Sequence, residues 1–405
     1  MKPRLLTLSL ALALAGCGDS GPDLGTGGTG AAGGSGGSGA GGAGPTPWEW
    51  DLPDTVPPPR VPDDNPMNVE KVELGRWLFY DKRLSGNQTQ SCGSCHFQEL
   101  AFTDGLPVSP GSTGELTPRG SMSLANAGYQ ASLTWANDVL VRLERQALIP
   151  MFGEEPVELG LANMEDELLE RMNDDEQYPE MFAAAFPEED DPVSVDSITK
   201  ALAAFQRSLT SFGSKVDRWA DGDTTALNES EQRGLALFFG GQNAAGVLDA
   251  FECFHCHGGF LYSQSSDDAF QVFDQKFFVN NGLYSLDPDG SYPPGNQGIF
   301  DMTGDPADKG RFKPPTLRNI ALTAPYMHDG SLATLDDVID HYARGGTLTE
   351  EGPNAGDGFD NPNKSAFLNG FEITEQERED LKAFLRALTD ESFITNPAFS
   401  DPFLE

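Results

Sequence analysis

The chain has 405 residues, 63 acidic against 26 basic side chains, a formal net charge of −37, five cysteines and five histidines. That balance excludes phosphate-backbone binding, which needs Lys and Arg to displace counterions, and electrostatic adhesion to anionic lipid. Hydrophobic residues at 38%, with 26 Phe, suffice for packed cores, and an odd number of cysteines cannot all enter disulfides.

Residues 1–17 read as a lipoprotein signal peptide. Lys2 and Arg4 precede a short apolar run, Leu5 to Ala15. A spanning helix needs roughly 20 apolar residues, so this run is an export signal. It closes in Leu14-Ala15-Gly16-Cys17, which is similar to the bacterial lipobox. An acylated Cys17 would hold the chain through buried acyl chains at about 0.8 kcal/mol per CH₂. An ordinary signal peptide with an incidental Cys is the alternative. The lipidated form predicts a periplasm-facing, membrane-anchored lipoprotein whose only membrane contact is the lipid. Residues 18–47 read as a Gly-rich flexible tether, with fourteen glycines among residues 18–45. Its reach is about 30 Å.

The remainder contains a repeat. Gly75-Arg76-Trp77-Leu78-Phe79 precedes Cys92-Gly93-Ser94-Cys95-His96, and Gly234-Leu235-Ala236-Leu237-Phe238 precedes Cys253-Phe254-His255-Cys256-His257. A spacing of about 160 residues is too long for a solenoid and predicts two related domains, 48–222 and 223–405. Asn228 with Glu231 predicts a helix start ahead of the second motif, and Thr374 with Glu377 predicts another. Ile198, Leu202, Phe205 and Leu209 fall on one helical face, as do Leu381, Phe384, Leu385 and Leu388. Stretches 281–310 and 346–364 are rich in Gly, Pro, Asn and Asp and read as loops. Strand alternation is weak, so the expected fold is mainly α with long loops.

C-x-x-C-H is the attachment sequence for c-type haem: the thiols join the vinyl groups and the His can ligate the iron. A single copy could be a zinc half-site or a redox pair. Two copies in an exported chain point to two covalent haems with His96 and His257 as proximal ligands, and to cytochrome c-like domains with the haems near the domain interface. The cysteine count then closes, with Cys92, Cys95, Cys253 and Cys256 on haem and Cys17 on lipid. His255, between two thiols, reads as a surface or supporting residue. Function turns on the far side of each iron, since two protein ligands make a carrier and an open position makes an enzyme. The first half has no spare His. Met122 is its nearest conceivable sulfur ligand, and packing is the favoured role for it, so the first iron reads as open. His328 and His341 both lie in the second half.

Beyond these motifs, residues 66 to 390 resemble the bacterial dihaem cytochrome c peroxidase/MauG superfamily. The resemblance is carried by Ala101-Phe102-Thr103-Asp104-Gly105, Trp135, Gln146, Pro156-Val157-Glu158, Pro315-Thr316-Leu317-Arg318-Asn319-Ile320 and Thr323-Ala324-Pro325-Tyr326-Met327-His328-Asp329-Gly330. It implies Glu158 as distal acid/base carboxylate, Gln146 as distal amide and Trp135 as the electron stepping stone between haems. It also implies an interdomain Ca²⁺ held by Asn126, Thr323 and Pro325, oxygen donors of the kind Ca²⁺ takes.

Two departures mark a branch. Conventional family peroxidases carry a distal His where this chain has Pro118, which cannot ligate. They carry a Met fourteen residues after the His of Tyr-x-His-Asp-Gly, where this chain has Tyr342. MauG-type members have Tyr there, a hard anionic ligand that suits high iron oxidation states. The neighbouring His341 is the alternative ligand, and His328 is expected to serve the haem surroundings.

The segments Leu143 to Gly153, Gly282-Leu283-Tyr284, Tyr292-Pro293-Pro294 and Thr303-Gly304-Asp305-Pro306 resemble the MauG-like branch containing the methanobactin-associated dihaem enzymes (MbnH). The resemblance implies an H₂O₂-dependent oxidoreductase that reaches a bis-ferryl state and oxidises a residue of a partner protein. The expected chemistry is Trp to kynurenine in a copper-binding, lipoprotein-like partner. The rivals are a peroxidase drawing electrons from a small redox protein, opposed by Pro118 and Tyr342, and a non-catalytic electron carrier, opposed by the open first iron.

Overall fold

The computed structural model describes residues 44–240, 251–267 and 277–404. The signal segment, Cys17 and the tether up to residue 43 lie outside the described residues. So do 241–250 and 268–276.

The chain is mainly helical. In order come α1 (Val69–Tyr80), α2 (Leu143–Gln146), α3 (Leu148–Phe152), α4 (Glu165–Asn173), α5 (Tyr178–Ala185) and α6 (Val195–Ser208). Then follow α7 (Lys215–Ala220), α8 (Glu229–Phe239), α9 (Phe300–Thr303), α10 (Leu335–Arg344), α11 (Glu375–Ala387) and α12 (Glu391–Ile394). Strands are two residues long. β1 (Val279–Asn280) pairs antiparallel with β2 (Arg311–Phe312), placing Val279 opposite Phe312. β3 (Leu348–Thr349) pairs with β4 (Gly356–Asp357). α9 and the β3–β4 ladder fall inside stretches whose composition predicts loops. They are too short to leave a periodic pattern.

Helix starts follow local chemistry. Asn228 and Glu231 form the reciprocal capping box of α8, and Thr374 and Glu377 that of α11. Asn68 caps α1 by accepting from the Lys71 amide, and Ser194 caps α6 by accepting from Ser197. Each such side chain satisfies an amide that the helix itself leaves unpaired, worth about 1 kcal/mol.

The sequence repeat is a structural repeat. α1 crosses α6 at Gly75, where an added Cβ would come within 2.0 Å of the Ala201 carbonyl oxygen and 2.8 Å of Phe205 Cβ. α8 crosses α11 at Gly234, where it would come within 1.9 Å of the Asp380 oxygen and 2.8 Å of Phe384 Cβ. Only glycine lets the backbones approach so closely. The aromatic pairs repeat as well: Phe79 and Phe205 lie 5.2 Å apart, Phe238 and Phe384 5.1 Å. Each crossing anchors its own core, the first around Leu74, Leu78, Phe102 and Leu202, the second around Tyr262, Leu381, Leu385 and Leu388. Residues 391–404, counted with the second half by sequence, pack on the first core. Phe393 and Phe399 are buried in it, and Arg76 donates to the Pro397 and Ser400 carbonyls. No helix among the described residues is long and apolar enough to cross a membrane.

Candidate functional site

Each C-x-x-C-H opens as a single 3₁₀ turn, Cys92–Ser94 and Cys253–His255. None of the four thiols is in a disulfide. Burial pushes Cys92 and Cys253 up to about 12, and Cys95 and Cys256 up to about 11.

Both histidines are held alike. His96 Nδ1 bonds the Phe102 carbonyl at 2.6 Å, and His257 Nδ1 bonds the Tyr262 carbonyl at 3.2 Å. Phe102 and Tyr262 sit at φ 63° and φ 53°, a left-handed conformation rare for bulky residues, and it turns their carbonyls onto the imidazole. Burial lowers the His96 imidazole and pushes His257 down to about 4. With Nδ1 used and the ring neutral, Nε2 keeps its lone pair for a metal.

The first motif opens into a cavity of ≈ 400 Å³ lined by Cys92, Cys95, His96, Trp135, Gln146 and Glu158. Pro118 and Met122 also line it. The Met122 backbone faces the His96 ring, so this residue runs along the histidine's side. Glu158 is half-buried, and desolvation raises its carboxyl above the usual carboxylate range. Its charge is felt by both Cys92 and Cys95. Its loop is stitched down where Ser112 donates to the Glu158 carbonyl at 2.6 Å and Leu159 donates to Pro150. Gln146 ends α2, which is tied to α6 by the buried Glu144–Arg207 pair at 3.0 Å. Asn65 adds a bond to Glu144 at 2.8 Å.

Trp135 Nε1 donates to the Gly120 carbonyl at 2.8 Å, and the Trp135 carbonyl accepts from the Lys313 amide at 2.8 Å. Two residues on, the Pro315 backbone bonds the His257 ring. The segment 313–315 therefore joins Trp135 to the proximal side of the second motif. Sequence patterns did not single out this link.

At the second motif Tyr342 is the residue brought to the thiols. Burial raises its phenol, and its neighbouring charges are Cys256 and Cys253. Asn281 bonds it and is itself held by the Leu283 amide. His341, one residue earlier on α10, turns away: its Nδ1 meets Thr347 Oγ1 at 2.7 Å, and its neighbours are Asn281, Arg344 and Lys364. Its buried Nε2 has no partner among the described residues. His328 stacks on Phe312 at 3.7 Å, and His255 on Phe367 at 4.2 Å.

These two sites suit haem: paired thiols, an oriented imidazole, and a cavity or a phenol beside the thiols. Of the residues expected at calcium, Asn126 has partners of its own. Asn126 Nδ2 donates to the Ser211 carbonyl at 3.0 Å while its Oδ1 accepts from the Ser211 amide at 2.9 Å. Asn319 repeats this staple in the second half, its Oδ1 accepting from the Asp390 amide at 2.8 Å. Both asparagines have positive φ and donate their backbone amides to the residue that closes a helix later in the chain, Leu209 after α6 and Leu388 after α11. Asn126 thus serves as a helix-end staple. Thr323 and Pro325 line the cavity.

Comparison with known proteins agrees. Residues 69–225 match the family model for di-haem cytochrome c peroxidase. The chain is 35% identical to the cytochrome-c peroxidase IdrP1 of Pseudomonas sp. (strain SCT), over 82% of this chain and 84% of that protein. It is 34% identical to the methylamine utilization protein MauG of Methylorubrum extorquens, over 85% of each. Among solved structures, a MauG-like protein associated with microbial copper homeostasis superposes with a TM-score of 0.84 at 52% identity, covering 88% of this chain and 99% of that one.

Proposed function

The chain belongs to the dihaem cytochrome c peroxidase family, peroxide-using dihaem oxidoreductases, and on that premise we propose that it is a MauG-type member. In this reading it oxidises a residue of a partner protein, Trp to kynurenine in a copper-binding partner. The observation that carries it is Tyr342 set against Cys253 and Cys256, the thiols of the second motif. The 52% identity to a MauG-like protein of copper homeostasis supports the partner's class.

Haem at Cys92/Cys95 and Cys253/Cys256, with His96 and His257 as proximal ligands, would supply iron able to accept two oxidising equivalents from H₂O₂. The chain does the rest. Glu158, its carboxyl raised by burial, takes a proton from the attacking peroxide oxygen and returns it to the departing one. Gln146 offers its amide to orient the peroxide. Pro118 lines the cavity and has no donor atom to offer a haem iron there, so that position would stay free for peroxide. Trp135 relays the second equivalent toward the second motif along the 313–315 segment. Tyr342 would be the phenol offered to a haem iron at the second site, and as a phenolate ligand it would favour the oxidised forms. The lipid anchor on Cys17 and a periplasm-facing location belong to the same reading.

A conventional peroxidase fed by a small redox protein is the second reading, favoured by the IdrP1 likeness. Adding H₂O₂ to the fully oxidised protein with no reductant separates them. Immediate stoichiometric consumption supports the MauG-type reading. Reaction only after prior reduction supports the conventional one, and inertness in both states leaves an electron carrier.

A further inference from the structure

Lys313 directly follows β2 and is 2% exposed. Its Nζ donates to Gln130 Oε1 at 3.2 Å and to the Ser132 carbonyl at 2.7 Å. An ammonium has three donors. Among the described residues the third has no acceptor, and no carboxylate stands within ion-pair distance. A buried charge without a counter-charge is costly. Desolvation accordingly pushes Lys313 down to about 7.

The side chain lines the same cavity as Cys92, Cys95 and His96. The other charged groups on that wall are committed or oppositely placed. Arg119 donates to Asn296 and Asp301, Asp104 accepts from Ser109, and Glu158 faces the thiols. A haem bound there would bring two propionate carboxylates.

We propose that Lys313 Nζ is the counter-charge and hydrogen-bond donor for a propionate of the haem attached at Cys92 and Cys95. The proposal rests on the haem assignment above. It gives this buried ammonium an anionic partner. It also fixes the haem edge relative to the electron relay, because the same residue's amide holds the Trp135 carbonyl at 2.8 Å. Lys313 is then a positioning residue. Removing its charge leaves an uncompensated anion beside the iron, which favours the oxidised form.

The test is a spectroelectrochemical titration of the purified dihaem protein, with resonance Raman spectra of the propionate-bending region. In K313M and K313Q the first haem's midpoint potential should move negative and the propionate band should shift, with the second haem changing less. K313R should keep the potential while altering the band, because the charge stays and the donor geometry changes. Unmoved potential and band in a neutral variant carrying two covalent haems would overturn the proposal. Should neither neutral variant accumulate, K313R carries the decision: an unaltered propionate band overturns it. A wild-type protein with fewer than two covalent haems by pyridine haemochrome would instead fail the underlying haem assignment.

Discussion

Replacing Gly75 or Gly234 by alanine tests the claim that one helix crossing, used twice, holds both haem motifs. An alanine Cβ would meet the Ala201 oxygen at 2.0 Å or the Asp380 oxygen at 1.9 Å, about 1.4 Å inside an ordinary 3.4 Å contact. The obstructing atoms are backbone carbonyls in α6 and α11, so no side chain can swing away. Overpacking of this kind costs roughly 1–3 kcal/mol and more where backbone must move. Alanine returns about 1 kcal/mol of helix propensity. The net expectation is a loss of about 2 kcal/mol or more in each variant. For domains of this size that lowers Tm by roughly 4–8 °C. Circular dichroism melts of the haem-loaded proteins read it directly. A neutral or raised Tm in either variant would refute the crossing. A loss in one variant only would refute the equivalence of the two halves.

Other outcomes follow from the site. Glu158→Gln should lower kcat/KM for peroxide about 10²- to 10⁴-fold with both haem potentials unchanged; a smaller loss in stopped-flow traces would remove Glu158 from proton transfer. The same variant reports the carboxyl's burial. Because folding raises the Glu158 pKa, the folded chain holds this proton more tightly. That contribution is intact below the usual carboxylate value and is lost as pH rises through the raised one. Glu158→Gln should therefore melt higher than wild type at pH 7, and the gap should close on acidification; a gap independent of pH contradicts this. Glu144→Ala strips the buried Arg207 of its partner and should cost about 3–5 kcal/mol while loosening α2 and Gln146. Denaturant unfolding that finds less than about 1 kcal/mol would show the pair to be solvated.

What could be read from the sequence is what is written locally. The capping boxes at Asn228 and Thr374 need only two residues three apart. C-x-x-C-H is a contiguous chemical signature, and Gly75 and Gly234 stand at matching places before it. The features that escaped are those made by distant partners. Phe393 and Phe399 look like any C-terminal aromatics, and only the folded chain returns them to the first core. Asn126 was expected to hold calcium. What spacing could not show is its αL backbone and its two bonds to Ser211, 85 residues away. The carbonyls of Phe102 and Tyr262 depend on positive φ at bulky residues, which no propensity anticipates. Spacing from His328 pointed to Tyr342 with His341 as the alternative; on α10 Tyr342 faces the thiols and His341 faces Thr347.

The central claim is that Tyr342 equips the second haem to hold an oxidising equivalent drawn from peroxide at the first. Near-infrared absorption after one equivalent of H₂O₂ is added to the oxidised protein, in wild type and in Tyr342→Met, tests it most directly. The account predicts a charge-resonance band in wild type and none in the variant, with two covalent haems retained in both. An equally intense band in Tyr342→Met would contradict it.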